Sequence, residues 1–298
     1  MMKKILKYTL PLLLLVLCSA CGEKDAPADR NWPETVEFSN LSDESSRGLL
    51  TSLMTDAGID ETKQTVLFDH ADQINGFLDP AELSGGFAPL PIGETRYDPY
   101  ALQDRWNAQY PDFLGYNCRI TAFSLFSDML AIPLGSEIRD EFVLMDESAL
   151  EYDDSALPEE AARQAFLTFY SAVPTENSKD SQVHLGNYQK ALKDRGIQFR
   201  DTDKMSLISV VFHDQLDSDQ LFVGHTGVLF PAGDGNFYFL EKIAFQEPYQ
   251  LCRFPSREAV GDYLMMKYDV SFGQPTAAPL VLENDELIAG YRVRPEEA

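Results

Sequence analysis

Apolar residues recur at a helical period in the first two thirds of this chain and at a strand-like period after Met205. From Ser42 to Gly58, the residues Leu49, Leu50, Leu53, Met54 and Ala57 share one helical face, with Ser42 as the cap and Gly58 as the stop. Gln64–Leu78, Pro99–Tyr110, Pro158–Val173 and Ser181–Gly196 read as further helices, and Asp79–Tyr97, with its Gly-Gly and prolines, as a loop. In Asn117–Leu130 the residues Cys118, Ala122, Leu125, Phe126 and Met129 form one stripe, which must be buried with Cys118 at its exposed end. Beyond Met205, strand patterns cover Leu207–Phe212, Leu221–Phe230, Phe237–Phe245, Leu280–Leu282 and Leu287–Val293, interrupted by one helix at Ser256–Tyr268. Helices first and consecutive strands later predict an α+β fold, a helical N-terminal half packed on a mostly antiparallel sheet.

The start of the chain follows a different logic. Lysines at positions 3, 4 and 7 precede the apolar run Leu10–Leu17, which is shorter than the roughly 20 residues a bilayer span needs, and Cys18-Ser19-Ala20-Cys21 closes it. This predicts a signal peptide over residues 1–20. The small residues before Cys21 resemble a bacterial lipobox, although Cys18 stands where leucine is usual. Cys21 is therefore expected to be lipidated, residues 21–40 to form a polar tether, and residues 41–298 to form a single domain on the extracytoplasmic face of the cell membrane. Loss of residues 1–20 removes three lysines and no acid, taking the formal charge from −24 to −27. So acidic a surface repels nucleic acid and anionic lipid, so the membrane partner must be reached through the lipid at Cys21.

Chemistry concentrates at two places. Cys118 follows Asn117 at a helix start, where the helix dipole and unpaired N–H groups favour the thiolate, and His225 opens the run His225-Thr226-Gly227-Val228-Leu229-Phe230 much later in the chain. Two other readings of the thiol stand beside that one: a disulfide with Cys252, which an exported chain invites, and a simple buried cysteine. His70, His184 and His213 read as structural or solvated, and His213-Asp214 with Asp217 and Asp219 as a solvated turn without the spacing of a calcium loop. Trp106, Tyr110, Phe113 and Tyr116, ahead of Cys118, offer the lining of a substrate groove, but their helix-like spacing is that of core residues. The signatures of serine hydrolases, zincins and nucleotide hydrolases are missing, so no metal or cofactor is expected.

A helix-start cysteine followed by His-x-Gly-Val on a strand resembles the NlpC/P60 and papain-like cysteine hydrolases, in which the cysteine helix packs on an antiparallel sheet bearing the histidine. Asn117 and Arg119 flank the thiol where NlpC/P60 enzymes carry Asp and Ser. Tyr116-Asn117-Cys118-Arg119, Gly224-His225-Thr226-Gly227 and Phe239-Leu240-Glu241-Lys242 are similar to an uncharacterised bacterial lipoprotein family known only as a domain of unknown function (4300). The resemblance implies a cysteine peptidase or amidase acting on a peptide or cell-wall amide through a Cys118 thioester. In such a site His225 takes the thiol proton and Glu241 orients the imidazole, while the Cys118 N–H, with Asn117 or Gln109, binds the oxyanion. A loop over Pro231–Gly235 would set His225 directly opposite Glu241. A tight turn at Asp234-Gly235 would instead pair His225 with Ala244 and send Glu241 to the other face. The alternative is a non-catalytic surface lipoprotein that binds a ligand or protein partner, with Cys118 structural.

Overall fold

The computed structural model describes residues 30–133, 141–200, 203–270 and 273–295. The chain divides into Met1–Arg30 and a compact unit, Asn31–Ala298. The expected signal peptide and Cys21 lie outside the described residues. In chain order the elements are β1 (Thr35–Ser39), α1 (Glu44–Asp56), α2 (Glu61–Asn75), β2 (Ala88–Pro91), α3 (Pro99–Gln109), α4 (Cys118–Phe126), β3 (Leu130–Ala131), α5 (Leu144–Tyr152), α6 (Glu160–Tyr170) and β4 (Val173–Pro174). Then follow α7 (Ser181–Asp194), β5 (Gln198–Phe199), β6 (Ser206–Asp214), β7 (Gln220–Pro231), β8 (Phe237–Lys242), β9 (Tyr249–Phe254), α8 (Arg257–Tyr268), β10 (Leu280–Glu283) and β11 (Glu286–Leu287). The chain is α+β.

Side-chain caps start most of these helices. Asp43, not Ser42, caps α1 by accepting from Ser46 N at 2.9 Å; Asp98 caps α3 just ahead of Pro99, and Asn117 caps α4. Each cap satisfies an N–H that the helix itself leaves unpaired. The main sheet runs β11-β10-β6-β7-β8-β9-β1-β2, with β4 also on β7, and every pairing among the described residues is antiparallel. Buried residues of α1 to α7 form one core with Leu207, Val211, Val228 and Leu240 on one face of the sheet. Buried residues of α8 form a second core with Ile208, Val210, Leu229 and Phe239 on the other face. Because both faces are covered, β6 to β9 are apolar on both sides instead of alternating.

Several expectations change. Residues 21–40 are not tether throughout: Thr35–Ser39 forms β1, with Val36 and Phe38 buried, paired to β2 on one side and β9 on the other. Five residues are too few to reveal a period against a polar background. Likewise β2, β9 and α5 are not foreseen, α4 ends at Phe126 before a 3₁₀ turn at Ser127–Met129, and the final strand pairs only at Glu286–Leu287.

One close approach holds the segment leading into α4. Gly115 has φ +89, and a Cβ there would lie 2.5 Å from Phe245 O. That carbonyl also accepts from Lys242 Nζ at 3.0 Å, and the same ammonium donates to Ala244 O and Glu247 O at 3.1 and 2.5 Å. Lys242 thus gathers the turn after β8 around itself, and Gly115 packs on that turn. Gly115→Ala is expected to lower the unfolding free energy by about 2–4 kcal/mol, from positive φ and a backbone clash together. Gly48→Ala, in α1 with nothing within 4 Å of the added Cβ, should instead raise it by up to about 1 kcal/mol. Urea denaturation of the two variants checks both signs.

Candidate active site

The head of α4 points Cys118 at the sheet. Asn117 Oδ1 accepts from Ile120 N at 3.0 Å, and its amide nitrogen donates to Asp146 Oδ1 at 2.7 Å. Arg119 clasps the same carboxylate, with Nε–Oδ1 at 3.1 Å and Nη2–Oδ2 at 2.5 Å, and reaches Val223 O at 3.4 Å. A buried aspartate of α5 therefore fixes both neighbours of the nucleophile candidate. Ile120 N is capped and Thr121 N bonds Asn117 O at 3.1 Å, so the N–H groups of Cys118 and Arg119 are the donors left at the helix head.

Strand β7 brings His225 to this point by an irregularity. Val210 pairs with His225 but Val211 pairs with Val223, so Gly224 is an extra residue in β7. The bulge re-phases the strand: Val223 joins the core under α1–α7, whereas His225 shares the opposite face with Val210 and Phe239. A Cβ at Gly224 would lie 2.4 Å from the Phe212 ring, so only glycine fits the bulge. The last β7–β8 pair is Gly227↔Glu241. His225 lies two residues beyond it, where β8 no longer runs alongside and the thiol can reach the imidazole from the head of α4. The connection is Ala232–Asn236, so His225 and Glu241 are diagonal neighbours on one face, neither directly opposite nor on opposite faces.

His225 Nε2 and Glu241 Oε2 are 2.6 Å apart, and the imidazole stacks on Tyr268 with ring centroids at 4.8 Å. With Nε2 occupied, Nδ1 is the imidazole nitrogen left, and Cys118 and His225 each shift the other. Burial pushes the thiol up, but bonding to and charge attraction from His225, with Arg119 adding, outweigh it and leave Cys118 below the ordinary thiol range. Burial pushes His225 down, and its bonds to Cys118 and Glu241 win, leaving it above the ordinary imidazole range. Both shifts favour a thiolate–imidazolium pair. Glu241 is driven up by burial and down, more strongly, by Lys267, His225 and Tyr263, reaching about 2.

Cys252 behaves in the opposite way. It is a free, buried thiol, as is Cys118, so the disulfide between them does not form. Its sulfur lies 3.6 Å from Glu241 Oε1, and burial followed by that carboxylate's charge pushes it well above the ordinary range. The oxyanion candidates are corrected in part. Asn117 spends its side chain on the helix cap and Asp146, and Gln109 is exposed at the end of α3, so what remains at the site is backbone N–H. His70, His184 and His213 lie elsewhere, bonded respectively to Ser155, to Thr175 and Ser178, and to Asp219. Among the described residues no cluster of His, Cys, Asp or Glu could hold a metal ion. Asp146, Tyr263, Lys267 and Tyr268 are the participants that sequence reasoning missed. Only the spacing of Tyr263 and Lys267, one turn apart on a helix after β9, offered a signal.

Glu241 also makes the fold sensitive to acid. A carboxyl depressed from 4.5 to about 2 contributes stability that is complete above 4.5 and lost as pH falls toward 2. The contribution is on the order of 3 kcal/mol, since one unit is worth about 1.4 kcal/mol. Glu241→Gln should therefore flatten the acid limb of a plot of urea midpoint against pH, relative to the wild-type chain.

No curated protein and no solved structure matches the chain. A known family does, across residues 37–288, from β1 to just past β11 and so through every element that builds the site. By that match the chain belongs to the family described as a domain of unknown function (DUF4300).

Proposed function

We propose that this chain is an extracytoplasmic, lipid-anchored cysteine hydrolase that cleaves a peptide or other amide bond with Cys118 as nucleophile. One observation carries the reading. Of two buried thiols, the one at a helix head is paired to an imidazole that a buried carboxylate orients, and it alone is depressed, while Cys252 is raised. A thiol, an imidazole and a carboxylate in that order support the papain-like reading.

In this reaction the Cys118 thiolate attacks the carbonyl carbon, and the N–H groups at the head of α4 hold the developing oxyanion. The C–N bond breaks as the His225 imidazolium gives its proton to the leaving amine, which leaves a thioester on Cys118. His225, neutral again, takes a proton from water as the water oxygen attacks the thioester. The acid departs and the thiolate–imidazolium pair is restored. Glu241 keeps Nε2 protonated and Nδ1 turned to sulfur throughout. The substrate class extends to the amides of the cell wall, in keeping with the NlpC/P60 likeness and with attachment to the membrane.

A second reading, a binding lipoprotein with a structural Cys118, draws on the low exposure of the pair, 6 % for Cys118 and 1 % for His225. Alkylation separates the two. With iodoacetamide at pH 6, Cys118 should react about tenfold or more faster than Cys252, and His225→Ala should remove that advantage. Equal rates, or a rate indifferent to His225, favour the binding reading.

Anchoring is tested apart from chemistry. With Cys21 lipidated, the full chain should stay with membranes through a high-salt wash and enter detergent, and Cys21→Ser should release it. Recovery of wild-type chain wholly in the soluble fraction, with no lipid mass on Cys21, would remove the anchor from the reading.

A further inference from the structure

The carboxylate behind His225 is not an end point. Glu241 Oε2 serves the imidazole, and its other oxygen accepts from Tyr263 Oη at 2.5 Å and faces Lys267 Nζ at 3.4 Å. Lys267 Nζ also donates to Tyr263 Oη at 2.8 Å, and this ammonium and phenol are one turn apart on α8. Glu241 is fully buried, and the Lys267 side chain keeps 15 % exposure. A continuous chain thus runs from a partly solvated ammonium through a buried carboxylate and imidazole to the thiol, linking α8 on one face of the sheet to α4 on the other. Tyr268, the last residue of α8, adds the ring that lies against the imidazole.

We propose that Lys267 and Tyr263 are positioning residues of the cysteine site, holding Glu241 ionised and turned so that it can sustain the His225 imidazolium and hence the Cys118 thiolate. The proposal rests on the cysteine-hydrolase reading above. Its physical basis is the cost of a carboxylate in a dry interior: without a cation and donors on the second oxygen, Glu241 would take up a proton, and a neutral acid does not stabilise an imidazolium. Lys267 is the first of the influences that draw Glu241 down, ahead of His225 itself. Other charged or titratable groups bear on the same chain from each element around it. Cys252 of β9 faces Glu241, and Tyr97, ahead of α3, feels it. Arg119 of α4 and Asp146 of α5 act on Cys118 with opposite signs; Tyr170 of α6 and Lys242 of β8 respond to the thiolate, and Tyr268 is raised by burial, then by Glu241 and Cys118, with Glu247 adding. Cys252 Sγ is a weak third donor to Glu241 Oε1 at 3.6 Å, and Lys267 and Tyr263 supply the charge and the strong hydrogen bond on that oxygen.

The test is the pH profile of Cys118 alkylation by iodoacetamide in the full chain, read by peptide mass. Lys267→Met and Tyr263→Phe should move the acid limb of that profile to higher pH, by about one unit for the lysine, a tenfold loss of rate on that limb, and by less for the tyrosine. Lys267→Arg should restore the wild-type profile, which loss of packing alone would not predict. His225→Ala is the control for the reading beneath: if it leaves the profile unmoved, the cysteine-hydrolase reading falls. If His225→Ala shifts the profile while Lys267→Met and Tyr263→Phe both keep the wild-type limb, the positioning role alone is overturned. Should Lys267→Met fail to fold, Tyr263→Phe decides the matter by the same limb.

Discussion

A carboxylate sealed from water, Glu241, sits where β8 ends, and the arrangement around it follows from the cost of burying it. An isolated ion in such a place is worth several kcal/mol against folding, so it persists only with charge and hydrogen bonds on both oxygens. His225 supplies one side, and Tyr263 and Lys267 the other. Those partners come from β7 and α8, so the site exists only when the α8 face of the sheet is assembled. The same carboxylate affects two thiols in opposite ways. Through His225 it favours the Cys118 thiolate, and directly, at 3.6 Å, it disfavours that of Cys252.

The sheet is what lets two helical layers meet at one thiol. Over Gly227–Leu229 the strands β6 and β8 flank β7 on both sides, and the two cores stay apart. At Gly224 the extra residue turns the strand, and just there β8 has ended, so a side chain on the α8 face becomes reachable from the head of α4. Bulges commonly re-aim side chains beside active sites, at the expense of an unpaired residue in the ladder. The turn after β8 closes the same region, since Lys242 draws three carbonyls inward and Gly115 packs against one of them. Burial pushes that ammonium down to about 7, and the carbonyls together with the Tyr249 ring, 4.9 Å away, stand in for water around it.

What could be read from the chain without its fold was what neighbouring residues decide among themselves. Asn117 ahead of Cys118, Asp98 ahead of Pro99 and Asp180 ahead of Ser181 are caps, formed within a turn of the helices they start. The strands β6, β7 and β8 were legible as apolar runs between turns, and His225 and Glu241 as residues of the same parity if the connection had an odd count. The thiol and imidazole were legible as chemistry because few residue types perform it.

Tertiary structure decided the rest, because the partners are distant and pair only once the chain has closed on itself. β1 lies between β9 and β2, from the two ends of the body, and its five residues carry too little pattern to announce it. The β7–β8 register, the bulge at Gly224 and the free state of Cys118 and Cys252 depend on how strands twist and stop. Asp146 behind Asn117 and Arg119, and Lys267 with Tyr263 behind Glu241, are invisible to a local reading for the same reason. A buried charge selects its partner by distance in space, whereas a cap or an amphipathic face selects its partners by distance along the chain.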